Sequence, residues 1–330
     1  MTEDLIVKLF AKTGMGTVSS PITPVTGGLL HRTYKVNTEN ASYAVKHLNP
    51  NVMRRADAMG NLKRAESYEK LLEDAGIPVI PAIAVKGEKM RETDGEYFYI
   101  FHWQNGSITD PNGIIADQCL RVGNILGRIH AVDPREVPKT EPEIFTADPA
   151  GYAAAAASQN AEIASLLGEN EELLRHAERR LNEARAALPP IECVTDGDMD
   201  PKNVMWERGE PFVIDLECLD RGNPVSDALL LSLAWSGVET LDLDTDKLKA
   251  FFDGYLEAYD NGFRDYGSVF GLAYTRLEWL EYNVRRALGE CEDEAERALG
   301  VSEVKSSLRI IAYIRSVENE TARQLDLWFK

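Results

Sequence analysis

The chain has 330 residues, of which 44% are hydrophobic, and it carries a formal net charge of −18. This length allows one large or two ordinary globular domains with a sizeable buried core. The negative charge opposes non-specific binding to nucleic acid or to an anionic membrane surface, so we expect neither as a partner, whereas it is compatible with a cationic substrate.

The first third of the chain predicts a β-rich region. Apolar residues recur at helical spacing in residues 3–13, and short segments bounded by turn residues then indicate strands. One longer amphipathic helix interrupts the strands and ends at Gly76. The predicted strands are 22–26, 31–37, 42–48, 82–85 and 97–103, and the predicted internal helix is 56–75.

The rest of the chain predicts mainly helices. One hairpin interrupts them, with strands at 204–206 and 212–214 around a turn at 208–210. Because the strands precede most of the helices, we expect an α+β fold with two lobes, a β-rich lobe at 1–104 and a larger, mostly helical lobe at 105–330. The predicted helices are 114–131, 151–167, 171–187, 226–236, 245–259, 269–288 and 302–329.

The cysteines and the N-terminal residues bear on the cellular compartment of the protein. Cys119, Cys193, Cys218 and Cys291 are too far apart in sequence for a CxxC redox pair or a zinc knuckle, so reduced thiols are the simplest interpretation. The N-terminal residues lack a basic start followed by an apolar core, and no run of 18 apolar residues occurs. We therefore expect a cytoplasmic protein that does not span a membrane.

The most informative pattern lies between Thr195 and Asp215. Asp198 is followed five residues later by Asn203, and Asp215 ends an apolar strand. A carboxylate in a tight loop can accept the proton of a hydroxyl nucleophile, and amide and carboxylate oxygens suit Mg²⁺ that is shared with phosphates. The pattern predicts a phosphoryl-transfer site with Asp198 as base and Asn203 and Asp215 as metal ligands. The alternative is a polar loop between two strands.

Two features upstream fit a nucleotide. Gly27 and Gly28 lie between two predicted strands, where glycines allow backbone N–H groups to approach a triphosphate, although such a pair is also typical of an ordinary hairpin turn. Lys46 lies on an apolar strand, and an inward lysine needs an anionic partner such as phosphate, whereas an edge lysine simply reaches solvent. Glutamates at 66, 69 and 73 on the next helix are candidates to hold this lysine, and the residues alone do not choose among them.

Several motifs follow one another in order over about residues 20–235. They are a glycine-rich turn, AVK, a helical glutamate, FHWQNG, LGRIHAVD, DGDMDPKN, VIDLE and GNPVSDALL. This ordered set resembles the aminoglycoside phosphotransferase and choline kinase-like family. The resemblance implies a protein-kinase-like fold in which ATP or GTP, with Mg²⁺, binds between a small β-rich lobe and a larger helical lobe.

The resemblance also implies roles for particular residues. Lys46 would bind phosphates and pair with Glu66, and residues from Phe101 to Trp103 would form the hinge that meets the purine through backbone groups. Asp198 would be the catalytic base, with Asn203 and Asp215 on the metal.

Other positions support or depart from the family pattern. Asp227 and His130 match family residues with structural roles around the catalytic loop. The family usually has histidine two positions before the catalytic aspartate and often two after it, where this chain has Asp196 and Asp200. These carboxylates either repel Asp198 and the metal, hold the backbone by hydrogen bonds, or face the substrate.

The candidate substrate residues are acidic groups that can meet an amine and aromatic rings that can stack on a sugar or a quaternary ammonium. The alternative is that the aromatic rings are core and the glutamates a solvated face. The candidates are Asp196, Asp200, Glu217, Glu278, Trp279, Glu281 and Tyr282.

The sequence therefore predicts a kinase that uses ATP or GTP to phosphorylate a hydroxyl of a small molecule such as an aminoglycoside, an amino alcohol or a sugar. The alternative, kept open by Asp196, is a catalytically impaired nucleotide-binding protein or scaffold. A protein kinase is disfavoured because no DFG triplet or APE-like segment accompanies Asp215.

Overall fold

The computed structural model describes residues 2–25, 31–134, 137, 148–291 and 293–329. The chain forms two compact units, and the hairpin after residue 201 groups with the N-terminal residues. The sequence instead predicts a single boundary near residue 104. The first unit comprises Met1–Thr109, Pro134–Val137 and Lys202–Asp220, and the second comprises Asp110–Asp133, Pro138–Pro201 and Arg221–Lys330.

A five-stranded antiparallel sheet forms the centre of the first unit, with strand order β1-β2-β3-β5-β4. The strands are β1 (Thr23–Val25), β2 (Arg32–Asn37), β3 (Ser42–His47), β4 (Arg91–Thr93) and β5 (Glu96–His102), and the helices are α1 (Thr2–Thr13), α2 (Pro50–Met53) and α3 (Ala58–Asp74).

One strand prediction in this unit is wrong. Residues 82–85 do not form a strand. This segment makes one backbone bond to β5, from the N–H of Ile83 to the carbonyl of Ile100 at 2.7 Å, and the N–H of Ala82 is bonded to the carboxylate of Glu69 at 2.6 Å. Strand β4, which pairs with β5, is a strand that the sequence does not predict.

The side chains of strand β3 alternate between two different parts of the first unit. Tyr43 and Val45 belong to a buried cluster that includes Phe10 of α1, so this face packs on the N-terminal helix. Lys46 alternates with them and points to the other face, where its register partner on β5 is Tyr99. The alternation of the strand thus places a lysine on the face that α3 covers through Leu62.

A second, three-stranded sheet carries the predicted hairpin. Its order is β6-β8-β9, with β6 (Ser107–Ile108), β8 (Val204–Glu207) and β9 (Glu210–Val213). The turn uses Arg208 and Gly209, both with positive φ (52° and 84°), as a two-residue type I′ turn requires. Val213 also bonds through its backbone to Pro78 and Ile80, which anchors the hairpin to the segment after α3.

The second unit is mainly helical. Its helices are α4 (Ala116–His130), α5 (Pro149–Gln159), α6 (Ala161–Glu169), α7 (Glu171–Ala187), α8 (Pro224–Trp235), α9 (Thr245–Ala258), α10 (Arg276–Ala287) and α11 (Glu294–Trp328). Its strands are β7 (Cys193–Thr195) and β10 (Asp220–Gly222), which begins at the last residue of the first unit. The α+β class, with a β-rich N-terminal region and a mostly helical C-terminal region, is confirmed.

Local capping explains two departures from the predicted helix bounds, whereas the helix predicted at 269–288 begins at Arg276 because Phe270–Thr275 forms a 3₁₀ helix. The predicted helix at 151–167 is divided at Asn160, whose backbone is extended and whose side chain caps α6 through the N–H groups of Glu162 and Ile163. Helix α11 begins at Glu294, earlier than predicted, because Asp293 caps it. No helix within the described ranges is both long and apolar enough to cross a membrane.

Candidate functional site

The hairpin holds the two predicted metal ligands at one end. Asn203 immediately precedes β8 and Asp215 lies two residues after β9. Val204 pairs with Val213, and the N–H of Ile214 continues the ladder by donating to the carbonyl of Asn203 at 2.9 Å. The backbone of Asp215 then turns into the left-handed region at φ 60°, a conformation that aspartate tolerates better than most residues. Strand pairing thus brings an amide and a carboxylate to the same end of the hairpin.

This donor set fits a magnesium ion. Mg²⁺ prefers oxygen ligands and is commonly held by one or two protein groups together with phosphates and water. No group of three or more His, Cys, Asp and Glu side chains is arranged for a metal in the part of the chain that the structure describes. An amide oxygen and one carboxylate are therefore compatible with a metal shared with a nucleotide, and not with a cage of protein ligands alone.

Lys46 lies beside this end of the hairpin. The lysine is buried, and its Nζ lies 2.6 Å from Oδ1 of Asp215 and 2.8 Å from Oε1 of Glu217. Burial by itself lowers the pKa of the lysine, but the two carboxylates outweigh burial and raise that pKa above its usual value. Lys46 is therefore a fixed positive charge at the metal-ligand end of the hairpin.

Glu217 is held from two sides. Its carboxylate contacts Lys46 through Oε1 and the Nε2 of His31 through Oε2, at 3.1 Å. Burial alone raises the pKa of Glu217, but Lys46 and His31 reverse this effect and lower the pKa to about 2. The sequence suggests Glu217 as a group that meets a substrate amine. In the structure its charge is instead engaged by a lysine and a histidine of the same unit.

His31 is a site residue that the sequence does not indicate. Its Nδ1 accepts the backbone N–H of Asn49 at 2.9 Å, so the ring proton lies on Nε2, which faces Glu217. No short motif marks this histidine, since its partners lie 18 residues away in the sequence at Asn49 and far beyond at Glu217.

The predicted pair between Lys46 and Glu66 does not form. Glu66 instead accepts the hydroxyl of Tyr99 at 2.9 Å and the Nζ of Lys63 at 3.0 Å, so both of its oxygens are engaged. Lys46 is satisfied by the residues that follow β9. The neighbouring Glu69 is also engaged elsewhere, by Lys89 at 2.8 Å. The lysine partner in this structure therefore comes from the hairpin segment and not from α3.

A cavity lies beside these groups within the first unit. Its lining includes Glu66, Tyr99, Phe101, Asp215 and Glu217. Phe101, predicted as part of the purine hinge, thus faces the same cavity as the carboxylates.

Trp103 and the glycine pair are the other residues predicted to bind the nucleotide. The Trp103 ring lies under the Nζ of Lys35 at 4.2 Å, and its backbone N–H donates to the carbonyl of Ser42. That N–H is therefore not open to a purine, so a hinge contact at Trp103 would use another group. Gly27 and Gly28, predicted to approach the phosphates, lie outside the described residues.

In the second unit, the loop with Asp198 is held by Asp227. The N–H groups of Asp196 and Gly197 donate to the two oxygens of Asp227, each at 3.1 Å. Gly197 has φ 63°, a left-handed conformation that favours glycine and lets the chain turn just before Asp198. The residue after Asp198, Met199, accepts the indole N–H of Trp235 at 2.8 Å. Bonds on both sides thus fix the backbone around the predicted base.

A buried chain of hydrogen bonds supports Asp227 in turn. His130 contacts Oδ2 of Asp227 through Nε2 at 3.1 Å and the hydroxyl of Tyr255 through Nδ1 at 2.9 Å. Burial raises the pKa of Tyr255 well above its usual value, so its hydroxyl keeps its proton at neutral pH. The positions of His130 and Asp227 are those of support for the loop, in agreement with the structural roles that the resemblance implies.

Asp196 is 1% exposed, so it does not lie open to a substrate in this structure. The backbone N–H of Asp196, and not its carboxylate, makes the bond to Asp227. Asp200 is only half-buried.

The predicted substrate residues of α10 are already engaged with neighbours. Glu278 pairs with Arg185, and Glu281 pairs with Arg285. The rings of Trp279 and Tyr282 are stacked with centroids 5.3 Å apart, and the indole N–H of Trp279 donates to Glu303. Glu278 thus pairs with an arginine on α7 and Glu281 with one on α10 itself, so an amine would compete with an arginine at either carboxylate.

The groups at the end of the hairpin define a class of protein. A buried lysine, an amide and a carboxylate are the components that phosphoryl transfer needs around a nucleotide, and with the α+β fold they indicate a phosphotransferase. The family model described as the phosphotransferase enzyme family matches residues 21–272, and the chain belongs to that family. The predicted resemblance to aminoglycoside phosphotransferases and choline kinases is confirmed.

Solved structures with the same fold include three small-molecule kinases. A spectinomycin phosphotransferase in complex with ADP and spectinomycin is similar at a TM-score of 0.70 and 14% identity, covering 94% of this chain and 98% of that one. A choline kinase from Streptococcus pneumoniae has a TM-score of 0.60 and 17% identity over 94% and 99%. A microcompartment-associated aminopropanol kinase has a TM-score of 0.64 and 14% identity over 95% and 98%. No curated protein matches this chain in sequence.

Proposed function

We propose that this phosphotransferase moves the γ-phosphoryl group of ATP or GTP to a hydroxyl of a small molecule, in the cytoplasm. The observation that carries the proposal is the contact of Lys46 with Asp215 at 2.6 Å, at the hairpin end that also holds Asn203. A lysine and two oxygen ligands so placed are suited to the phosphates of a nucleotide and to the metal that accompanies them.

Asn203 and Asp215 would hold Mg²⁺ when it is bound. The ion would neutralise charge on the phosphates that the chain brings to this end of the hairpin. Lys46 supplies a positive charge that orients the phosphates. Asp198 accepts the proton of the attacking hydroxyl, and Asp227 keeps its loop in place by holding the backbone just before it. Positioning and electrostatic stabilisation supply most of the rate in such a reaction.

We propose an alcohol that also carries a cationic nitrogen as the acceptor. Spectinomycin, choline and aminopropanol are named as the substrates or ligands of three proteins with this fold. The net charge of −18 supports a cationic substrate by long-range attraction. At Glu278 and Glu281 such a substrate would compete with the arginines that already pair with these carboxylates.

The decisive experiment measures Mg²⁺-dependent release of ADP or GDP with a panel of amino alcohols, aminoglycosides and sugars. Asp198→Asn keeps the size of the side chain and removes its basicity, so we expect turnover to fall by about 10²- to 10⁴-fold. Asp253→Asn is the matched control, because Asp253 is an exposed aspartate of the same unit that pairs with Lys249 on its own helix.

Acceptor-dependent release that Asp198→Asn abolishes and Asp253→Asn retains would support the kinase. Nucleotide binding without release for any acceptor in the panel would instead support the catalytically impaired nucleotide-binding protein. Equal turnover in Asp198→Asn and the wild type would contradict the role of Asp198.

A further inference from the structure

Two carboxylates contact the same lysine, and they differ in how they are held. Asp215 has a side chain 37% exposed, whereas that of Glu217 is 18% exposed. Asp215 is also a proposed metal ligand, so its carboxylate gains a second partner when the nucleotide binds. Glu217 is not a proposed metal ligand, and its second oxygen faces His31.

The hydrogen bonds of His31 fix the direction of that second contact. Since Nδ1 accepts the N–H of Asn49, the proton of the neutral ring lies on Nε2 and is donated to Oε2 of Glu217. This leaves Oε1 of Glu217 directed at Lys46. A carboxylate fixed on one side by a ring donor has little rotational freedom on the other, so it holds the lysine in one direction.

We propose that Glu217 is the positioning residue for Lys46 and that His31 orients Glu217. The inference rests on the proposed function, because it concerns how the lysine is presented to the phosphates of a nucleotide. With the nucleotide bound, Asp215 would also contact the metal, and Glu217 keeps the ammonium group of Lys46 extended towards the phosphates. Glu66, the partner implied by family resemblance, is engaged by a tyrosine and another lysine and does not carry this role.

The test compares a nucleoside diphosphate with its nucleoside by isothermal titration calorimetry. ADP and GDP are titrated into the wild-type protein first, and the one that binds is then used together with adenosine or guanosine. Lys46→Met should weaken binding of the diphosphate by about tenfold or more, and Glu217→Gln should do the same, because both variants disturb a charge-assisted contact. Neither variant should change the affinity for the nucleoside appreciably, because the lysine acts on phosphates alone.

Two further variants separate positioning from folding. Glu88→Gln removes the charge of an exposed glutamate that pairs with Lys63, and it should bind the diphosphate as the wild type does. His31→Leu removes the donor to Glu217 and should weaken diphosphate binding, whereas His31→Gln keeps an N–H donor in reach and should restore much of it. Urea unfolding of each variant confirms that the protein measured is folded, and Glu217→Asp replaces Glu217→Gln if the latter does not fold.

The outcomes distinguish this inference from the proposed function. If the wild type binds neither ADP nor GDP, the proposed function fails. If Lys46→Met loses diphosphate affinity while Glu217→Gln binds like Glu88→Gln, the function stands and the positioning role of Glu217 is wrong. The same conclusion follows if Glu66→Gln weakens diphosphate binding more than Glu217→Gln does. If His31→Leu binds as tightly as the wild type, the orienting role of His31 is wrong.

Discussion

The carboxylate of Asp227 accepts the backbone N–H of Gly197 at 3.1 Å, and its other oxygen accepts the N–H of Asp196. One side chain on α8 therefore determines the backbone path immediately before Asp198. Because Asp227 is only 6% exposed, loss of its carboxylate would leave two N–H donors and His130 without their charged acceptor.

We expect Asp227→Ala to lower the free energy of unfolding by about 3 kcal/mol and to lower kcat as the loop loses its support. Urea unfolding measures the first effect and nucleotide-release kinetics the second. Asp253→Ala, which removes an exposed carboxylate paired with Lys249, is the control and should change stability by less than about 0.5 kcal/mol. Equal stability of the two variants would show that the bonds from Asp227 contribute little.

Asn203 provides a test of the metal assignment. Asn203→Ala removes the amide oxygen from the hairpin end but leaves the backbone bond from Ile214, which uses the main-chain carbonyl. We expect the Mg²⁺ concentration for half-maximal nucleotide release to rise by about tenfold or more. A Mg²⁺ titration of the release rate measures this change. An unchanged half-maximal concentration would exclude Asn203 as a metal ligand.

Glycines allow α4 and α9 to approach closely in the second unit. A methyl group at Gly123 would overlap the backbone carbonyl of Phe251, and one at Gly254 would overlap that of Leu120. Backbone atoms cannot move aside as a flexible side chain can, so we expect Gly123→Ala to reduce the free energy of unfolding by about 1–3 kcal/mol. Thermal or urea unfolding measures the change.

Gly168 is the matched control for this prediction. It lies in α6 with open space around the position of a methyl group. Gly168→Ala should stabilise the protein by about 0.5–1 kcal/mol, because alanine loses less backbone entropy in a helix than glycine does. The close approach of α4 and α9 would be contradicted if both alanine variants were stabilised equally.

The hydrogen bonds of Glu318 lead us to expect that the stability of the protein depends on pH. Its carboxylate is buried and accepts bonds from Arg180 at 2.6 Å, Tyr274 at 2.8 Å and His176 at 3.0 Å. Burial alone raises the pKa of Glu318, but these donors outweigh burial and lower the pKa below its usual value. A lowered folded-state pKa contributes stability that is present above the unfolded-state pKa and is lost as the pH falls through the folded-state value.

We therefore expect Glu318→Gln to lower the free energy of unfolding by about 2 kcal/mol at neutral pH and by clearly less in strong acid. Urea unfolding at about pH 7 and about pH 3 measures the difference between variant and wild type. Glu320→Gln, on the same helix but exposed and paired with Arg323, should show little effect at either pH. A loss of stability that stayed equal at both pH values would contradict the proposed linkage.

Local patterns in the sequence predict much of the fold. The hairpin between residues 204 and 214 is predictable because two short apolar runs flank a turn, and its register then follows from a two-residue turn at Arg208 and Gly209. In the segment 82–85, where the predicted strand does not form, the N–H of Ile83 bonds to β5 and that of Ala82 bonds to a glutamate side chain on α3. Such a bond between distant residues leaves no periodic signal in a sequence.

The candidate site is likewise predictable from the sequence only in part. Lys46, Asn203 and Asp215 are recognisable because they occur together, in order, with the other motifs of the family. The partner of the lysine is not recognisable in this way. The residues alone do not choose among the glutamates of α3 and the family resemblance implies Glu66, whereas the structure gives Asp215 and Glu217, with a histidine behind Glu217.

The class of this protein is recognisable from its sequence, because residue types and their order along the chain specify which groups a phosphotransferase can use. Which of these groups meet depends on the tertiary structure. Lys46 and Asp215 are separated by 169 residues, so their contact depends on how β3 and the hairpin pack. Several carboxylates of similar chemistry lie on neighbouring elements, and only their three-dimensional positions select the ones that neutralise the lysine.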